Sequence, residues 1–271
     1  KNVALKANFN SADPFPASTH LDTLQAIVEN LKNSGVEDIT LGERSGMGNT
    51  KEVLDKMGVL GLSKKLGFKT VVLDDLSTDG WIKIDRRGTH WVRGFNIAKL
   101  FATADKVVQT CCLKTHRFGG HFTLSLKNSV GLIAKKTPHS LYDYMWELHG
   151  SPHQRKMIAE INKHYKADII VMDGIKAFVT GGPDKGKEVE PNLLLASTDR
   201  VAVDAVGVAV LRSCGSTNHI MNGKIFELEQ LKRASELEIG AKSASEIILT
   251  PLDEEAREVA EKLSDILERE G

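Results

Sequence analysis

Short apolar runs alternate along this chain with stretches whose apolar residues recur at the helical period. The first run is Val3-Ala4-Leu5. Over residues 19–32, Leu21, Leu24, Ile27, Val28 and Leu31 fall close to a 3.6-residue repeat, which predicts an amphipathic helix. Ser18 or Thr19 is placed to cap it, Asp22 suits its positive end, and Gly35 closes it. Strands are predicted over 38–42, 71–73 and 81–85, with a helix over 51–57 between the first two. A helix over 96–104 precedes a buried strand over 106–112. Beyond it the pattern gives helices over 152–165, 199–212, 225–236 and 253–270, and strands over 169–173, 193–196 and 247–249. Such alternation predicts an α/β fold, a mainly parallel sheet with helices on both faces. We read residues 1–271 as one unit, with a lobe boundary near 105 as an option and 251–271 as an acidic C-terminal helix.

Composition narrows the function classes. With 41% hydrophobic and 27% charged residues the chain is expected to be globular and soluble. Its 36 basic and 36 acidic residues balance, which argues against a generally basic nucleic-acid binder. No run approaches the roughly 18 apolar residues of a membrane span. Three cysteines (Cys111, Cys112, Cys214) cannot supply the four thiolates of an iron–sulfur cluster, so none is expected, and no other cofactor is predicted. They suit a reducing compartment, and a cytoplasmic location is expected. Because the chain begins at Lys1, export after removal of a leader is the alternative. The oligomeric state is not written in the pattern.

Neutrality is a sum of unequal parts. Between Arg86 and Tyr142 ten basic residues stand against one acid, Asp105, a net of +9, and from Lys106 to Tyr142 there is no carboxylate. The segment 251–271 carries eight acids and three bases, a net of −5. Concentrated positive charge suits a negative ligand.

Ligands of open parallel sheets bind beyond the carboxyl ends of the strands. That rule selects Lys6 and Asn8, Glu43, Lys114 and His116, and Asp173. The most unusual segment, 113–131, combines Lys114, His116, Lys127 and Asn128 with Gly119-Gly120 and lacks carboxylates; a solvated basic loop is its plainer reading. Asp204 stands in a helix apolar on nearly every side and needs a buried partner, for which Lys114 or Lys127 is expected. Asp199 suits a helix cap. The turn 45–50 and the loop 181–186 read as an ordinary turn and a flexible loop or lid, since neither completes a phosphate-binding motif. Adjacent Cys111 and Cys112 should face opposite sides of their strand.

The ordered set Val3-Ala4-Leu5-Lys6-Ala7-Asn8, Lys114-Thr115-His116, 123–131 with Thr123, Lys127 and Asn128, His139, Asp173, Gly182-Pro183 and 199–204 resembles the family catalogued as domain of unknown function 362. The resemblance runs from about residue 3 to about 250. Ala7 stands where that family usually has Pro, and Arg200 where Pro is frequent. Many relatives carry an appended ferredoxin-like module, whose cluster-binding cysteines are lacking here. The resemblance implies a fold and a residue set, and no reaction.

The leading expectation is a crevice for a small anionic metabolite, phosphate- or carboxylate-bearing, with Lys6, Asn8, Thr19, Lys114, His116, Thr123, Lys127, Asn128, Asp199 and Asp204 as its binding set. Catalysis, if any, falls to His116 as an acid–base group of near-neutral pKa, with Lys114 and Asp173 beside it. Two alternatives stand: a metal-dependent or redox accessory protein holding a divalent ion through His116, His121 or His139, and a non-enzymatic module docking an acidic partner. Neither nucleic acid nor a membrane is an expected partner.

Overall fold

Val3 and Leu5 face one side of the first strand and Ala4 faces the other, and each side has its own core. The computed structural model describes residues 2–271. Its first half comprises β1 (Asn2–Lys6), α1 (Leu21–Asn33), β2 (Asp38–Glu43), α2 (Thr50–Lys56), α3 (Val59–Leu66), β3 (Lys69–Val72), β4 (Trp81–Ile84), β5 (Phe95–Ala98) and α4 (Lys99–Thr103). Then follow β6 (Lys106–His116), β7 (His121–Thr123), α5 (Ser125–Asn128), α6 (Tyr144–Gly150), α7 (Gln154–Ile161) and β8 (Ile169–Gly181). The chain finishes with β9 (Gly186–Val189), β10 (Leu193–Ser197), α8 (Arg200–Ser213), α9 (Asn218–Met221), α10 (Glu229–Glu236) and α11 (Glu254–Glu270).

The main sheet has the order β10-β8-β6-β1-β2-β3. Its inner pairings are parallel, β10 runs antiparallel to β8, and β7 and β9 fold back on the ends of β6 and β8 as hairpins. This is the α/β sheet the alternation predicts. One core lies between the sheet and α1 and α3, through Leu24, Val28, Val59 and Leu62. The larger core packs α7, α8, α10 and α11 against the opposite face, with α8 buried nearly all round. Cys111 joins that larger core while Cys112 turns to the α1 side, where the Asn8 amide donates to its sulfur at 3.3 Å.

Several boundaries differ from those the pattern predicts. Residues 96–104 are not one helix, because Phe95–Ala98 pairs with Trp81–Ile84 as a buried hairpin arm and the helix starts only at Lys99. The run 247–249 forms no strand; Ile248 is 88% exposed and has no neighbouring strand to pair with. Neither Ser18 nor Thr19 caps α1, since His20 Nδ1 accepts the Asp22 amide and the Thr19 hydroxyl instead accepts the Asn8 amide. Asp105 precedes β6, which pairs with β1, so one sheet takes strands from both sides of residue 105. Among the described residues no helix is long and apolar enough to cross a membrane.

Two strands run further than expected, and this positions the site. β6 continues past Cys112 to His116, and β8 past Asp173 to Gly181. Lys114-Thr115-His116 is therefore held in a paired strand, opposite Thr123-Phe122-His121 of β7, rather than in a loop.

Candidate functional site

At the carboxyl ends of β1, β2 and β6 lies a cavity of about 330 Å³. β1 brings Lys6 and, just beyond it, Asn8; the end of β2 brings Glu43 and Arg44; β6 brings Lys114 and His116. Thr123, Lys127 and Asn128 come from β7 and α5, Pro183 from the β8–β9 hairpin, and Met145 and His149 from α6. Four of these side chains are lysine or arginine and one, Glu43, is a carboxylate.

Glu43 is committed within the protein. Its oxygens accept Lys6 Nζ at 2.7 and 2.9 Å and the amides of Phe9 and Arg44 at 3.1 and 3.0 Å. Lys6 also donates to Asn128 Oδ1 at 3.1 Å and to the Ala7 carbonyl, so its hydrogens are fully engaged. Burial lowers the Lys6 pKa, and the Glu43 carboxylate opposes that shift. Gly131 makes the pairing sterically possible, because a Cβ there would lie 2.8 Å from Lys6 Cε.

The other cations are less fully engaged. Arg44 donates from Nε to the Ile133 carbonyl at 3.0 Å and from Nη2 to the Val130 carbonyl and Met145 Sδ. Lys114 donates to the carbonyls of Ala17 and Pro183 and meets no carboxylate. Lys127, 8% exposed, has no hydrogen-bond or ion-pair partner among the described residues. Burial, then the charges of Arg44 and Lys114, push its pKa down to about 7.

His116 is not the near-neutral acid–base group the sequence suggests. Burial foremost, then Lys127, hold its pKa far below the ordinary value, so the ring is neutral. Its Nδ1 accepts the Gly120 amide at 3.3 Å, which leaves the ring proton on Nε2. His149 has the opposite tautomer, donating from Nδ1 to the Met145 carbonyl at 2.7 Å.

Of the expected binding set, the cavity gathers Lys6, Asn8, Lys114, His116, Thr123, Lys127 and Asn128. Thr19, Asp199 and Asp204 of that set lie outside its lining, as does Asp173, expected beside His116 in catalysis. Asp173 accepts the Thr23 hydroxyl at 2.5 Å and the Ile175 amide at 3.1 Å, beneath α1. Asp199 caps α8 through the amides of Val201 and Ala202 and accepts the Ala241 amide with its other oxygen. Asp204 meets neither Lys114 nor Lys127; its partners are the amides of Ser125 at 2.8 Å and Leu126 at 2.9 Å. Burial nonetheless outweighs those donors and raises its pKa to about 8.

The three histidines of the metal reading separate. His116 lines the cavity, the His121 ring stacks on His219 at 4.1 Å, and His139 is exposed. Among the described residues no group of three or more His, Cys, Asp or Glu side chains is placed to hold an ion. The turn 45–50 directs its amides inward, the Ser45 amide to the Thr50 hydroxyl and the Gly46 amide to Asn10 Oδ1. The loop 181–186 is a β-hairpin whose Gly182 carbonyl accepts from Arg117 and whose Pro183 carbonyl accepts from Lys114.

Arg44, Asn10, Met145 and His149 were not foreseen. Arg44 had one usable signal, its position two residues beyond the predicted strand end at Gly42.

Fold and cavity together define an α/β protein with a basic pocket at the carboxyl edge of a mainly parallel sheet. A family model matches residues 3–209, and the chain belongs to the family described as Domain of unknown function (DUF362). No curated protein matches it. Among solved structures it is similar to the lactate racemase apoprotein from Thermoanaerobacterium thermosaccharolyticum, with a TM-score of 0.47 and 17% identity. That match covers 74% of this chain and 47% of the other, so the chain spans about half the length of that protein.

Proposed function

We propose that this protein binds a small metabolite bearing a carboxylate or phosphate in the basic cavity and supports acid–base chemistry on it. One observation carries the reading: the cavity's carboxylate, Glu43, is paired with Lys6, while the Lys127 ammonium faces the cavity without a protein acceptor among the described residues. A cation so buried is costly unless an anion meets it. Arg44 and Lys114 add positive charge on the same cavity, and a site of low dielectric strengthens each of these interactions.

The same residues suit negative charge that develops during a reaction. Lysine and arginine would stabilise an enolate or carboxylate, and the His116 Nε2–H is a neutral donor for an oxygen. Lys127, with a pKa of about 7, changes protonation near neutrality and can hold or release a proton there. A thermal-shift screen of carboxylates and phosphates tests the reading. Stabilisation by at least one class that is lost in both Lys114→Met and Lys127→Met is expected; stabilisation that persists unchanged in both variants contradicts it.

A further inference from the structure

We infer that Lys127 is a nucleophile that condenses with the carbonyl carbon of a 2-oxo carboxylic acid bound in this cavity, forming an imine. The inference rests on the anion-binding reading and specifies the substrate class of the same site.

The geometry has three parts. First, the Lys127 amine lines the cavity and has no acceptor among the described residues, so no protein contact must break before it attacks. Second, Lys127 and His116 both crowd the side of Gly120 where a side chain would start: a Cβ there would lie 2.9 Å from Lys127 Cε and 2.8 Å from His116 Nδ1. With Nδ1 taken by the Gly120 amide, the His116 ring keeps its proton on Nε2, a neutral donor on the same cavity suited to the carbonyl oxygen as it gains charge. Third, the donors left for an anchoring anion are few. Lys114 has engaged two of its three hydrogens and the Arg44 Nη1 hydrogens have no acceptor among the described residues, a supply that matches the two oxygens of a carboxylate. Burial, and then the neighbouring cations, also keep a fraction of the Lys127 amine unprotonated near neutral pH, the condition for attack.

In the step, the Nζ lone pair forms the C–N bond while the carbonyl π pair moves to oxygen. A proton passes from nitrogen to that oxygen, giving a carbinolamine. The C–O bond then breaks as nitrogen forms C=N, and the oxygen leaves as water with one proton from the medium. One amine, one ketone and one proton become one protonated imine and one water, with no change of oxidation state. The protonated imine withdraws electrons from the neighbouring carbon and makes its C–H more acidic, which links the covalent step to acid–base chemistry.

Reductive trapping tests it. The full chain is incubated with pyruvate and sodium cyanoborohydride and mapped by peptide mass spectrometry, and binding of propionate, which lacks the carbonyl, is measured in parallel. A single reduced adduct on Lys127 is expected, with a yield that rises as pH passes through about 7. Excess propionate should suppress it in the wild-type protein, and Lys127→Arg should abolish it while still binding propionate. Propionate binding without an adduct on Lys127 overturns the imine and leaves the anion site standing. Adducts spread over surface lysines and indifferent to propionate overturn it as well, and failure of both ligands to bind overturns the imine together with the carboxylate form of the anion reading.

Discussion

Lys6 Nζ lies 2.7 Å from Glu43 Oε1, with both side chains buried, and this pair determines which cations remain for a ligand. Lys6 begins as the family-like lysine at the end of the first strand, yet its hydrogens go to Glu43, Asn128 and the Ala7 carbonyl. Its role is to hold the ends of β1 and β2 and α5 together under the cavity. Arg44, Lys114 and Lys127 carry the uncompensated charge.

Breaking the pair from one side should be severe. Glu43→Gln leaves the buried Lys6 ammonium without its counter-ion, and a loss of about 3–5 kcal/mol is expected. Urea denaturation measures it; a loss below about 1 kcal/mol would show the pair to be as weak as an exposed one.

Asp204 should make stability depend on pH. Its pKa is raised from 3.8 to about 8, so between those values the folded chain keeps a proton that the unfolded chain releases. This contribution to stability is fully present below 3.8 and is lost as pH rises through about 8. Denaturation midpoints across that range should fall with pH in the wild type and fall less in Asp204→Asn. Equal slopes would assign the dependence to other groups.

Gly120→Ala should damage the site more than the fold. The new methyl would press on His116 Nδ1 and Lys127 Cε, and overpacking of this kind costs about 1–3 kcal/mol. Anion affinity is expected to drop while cooperative unfolding is retained. Unchanged affinity would mean that the two side chains can shift without consequence.

The parallel sheet and the basic segment were legible because each is written locally. Short apolar runs mark the strands, and the carboxylate-free stretch marks Lys114, His116, Lys127 and Asn128. Asp204 was misjudged because its partners are the amides of Ser125 and Leu126, and backbone donors leave no trace in residue identities. Histidine chemistry failed for a related reason: the titration of His116 is set by burial, which depends on the hairpin closing over it. Residues 96–98 read as helix because they precede a true helix and share its apolar content, and only pairing with β4 decides the matter.

The central claim is that Lys127 supplies charge to a bound anion. Isothermal titration of propionate and of inorganic phosphate, below and above the Lys127 titration at about 7, tests it most directly in the wild type and in Lys127→Met. For the anion that binds, wild-type affinity should weaken as pH rises and the amine loses its proton. The variant should bind about tenfold to a hundredfold more weakly at the lower pH, as expected for a lost charge-assisted hydrogen bond, and should show little pH dependence. Equal affinity in both proteins with the same pH profile would contradict the account.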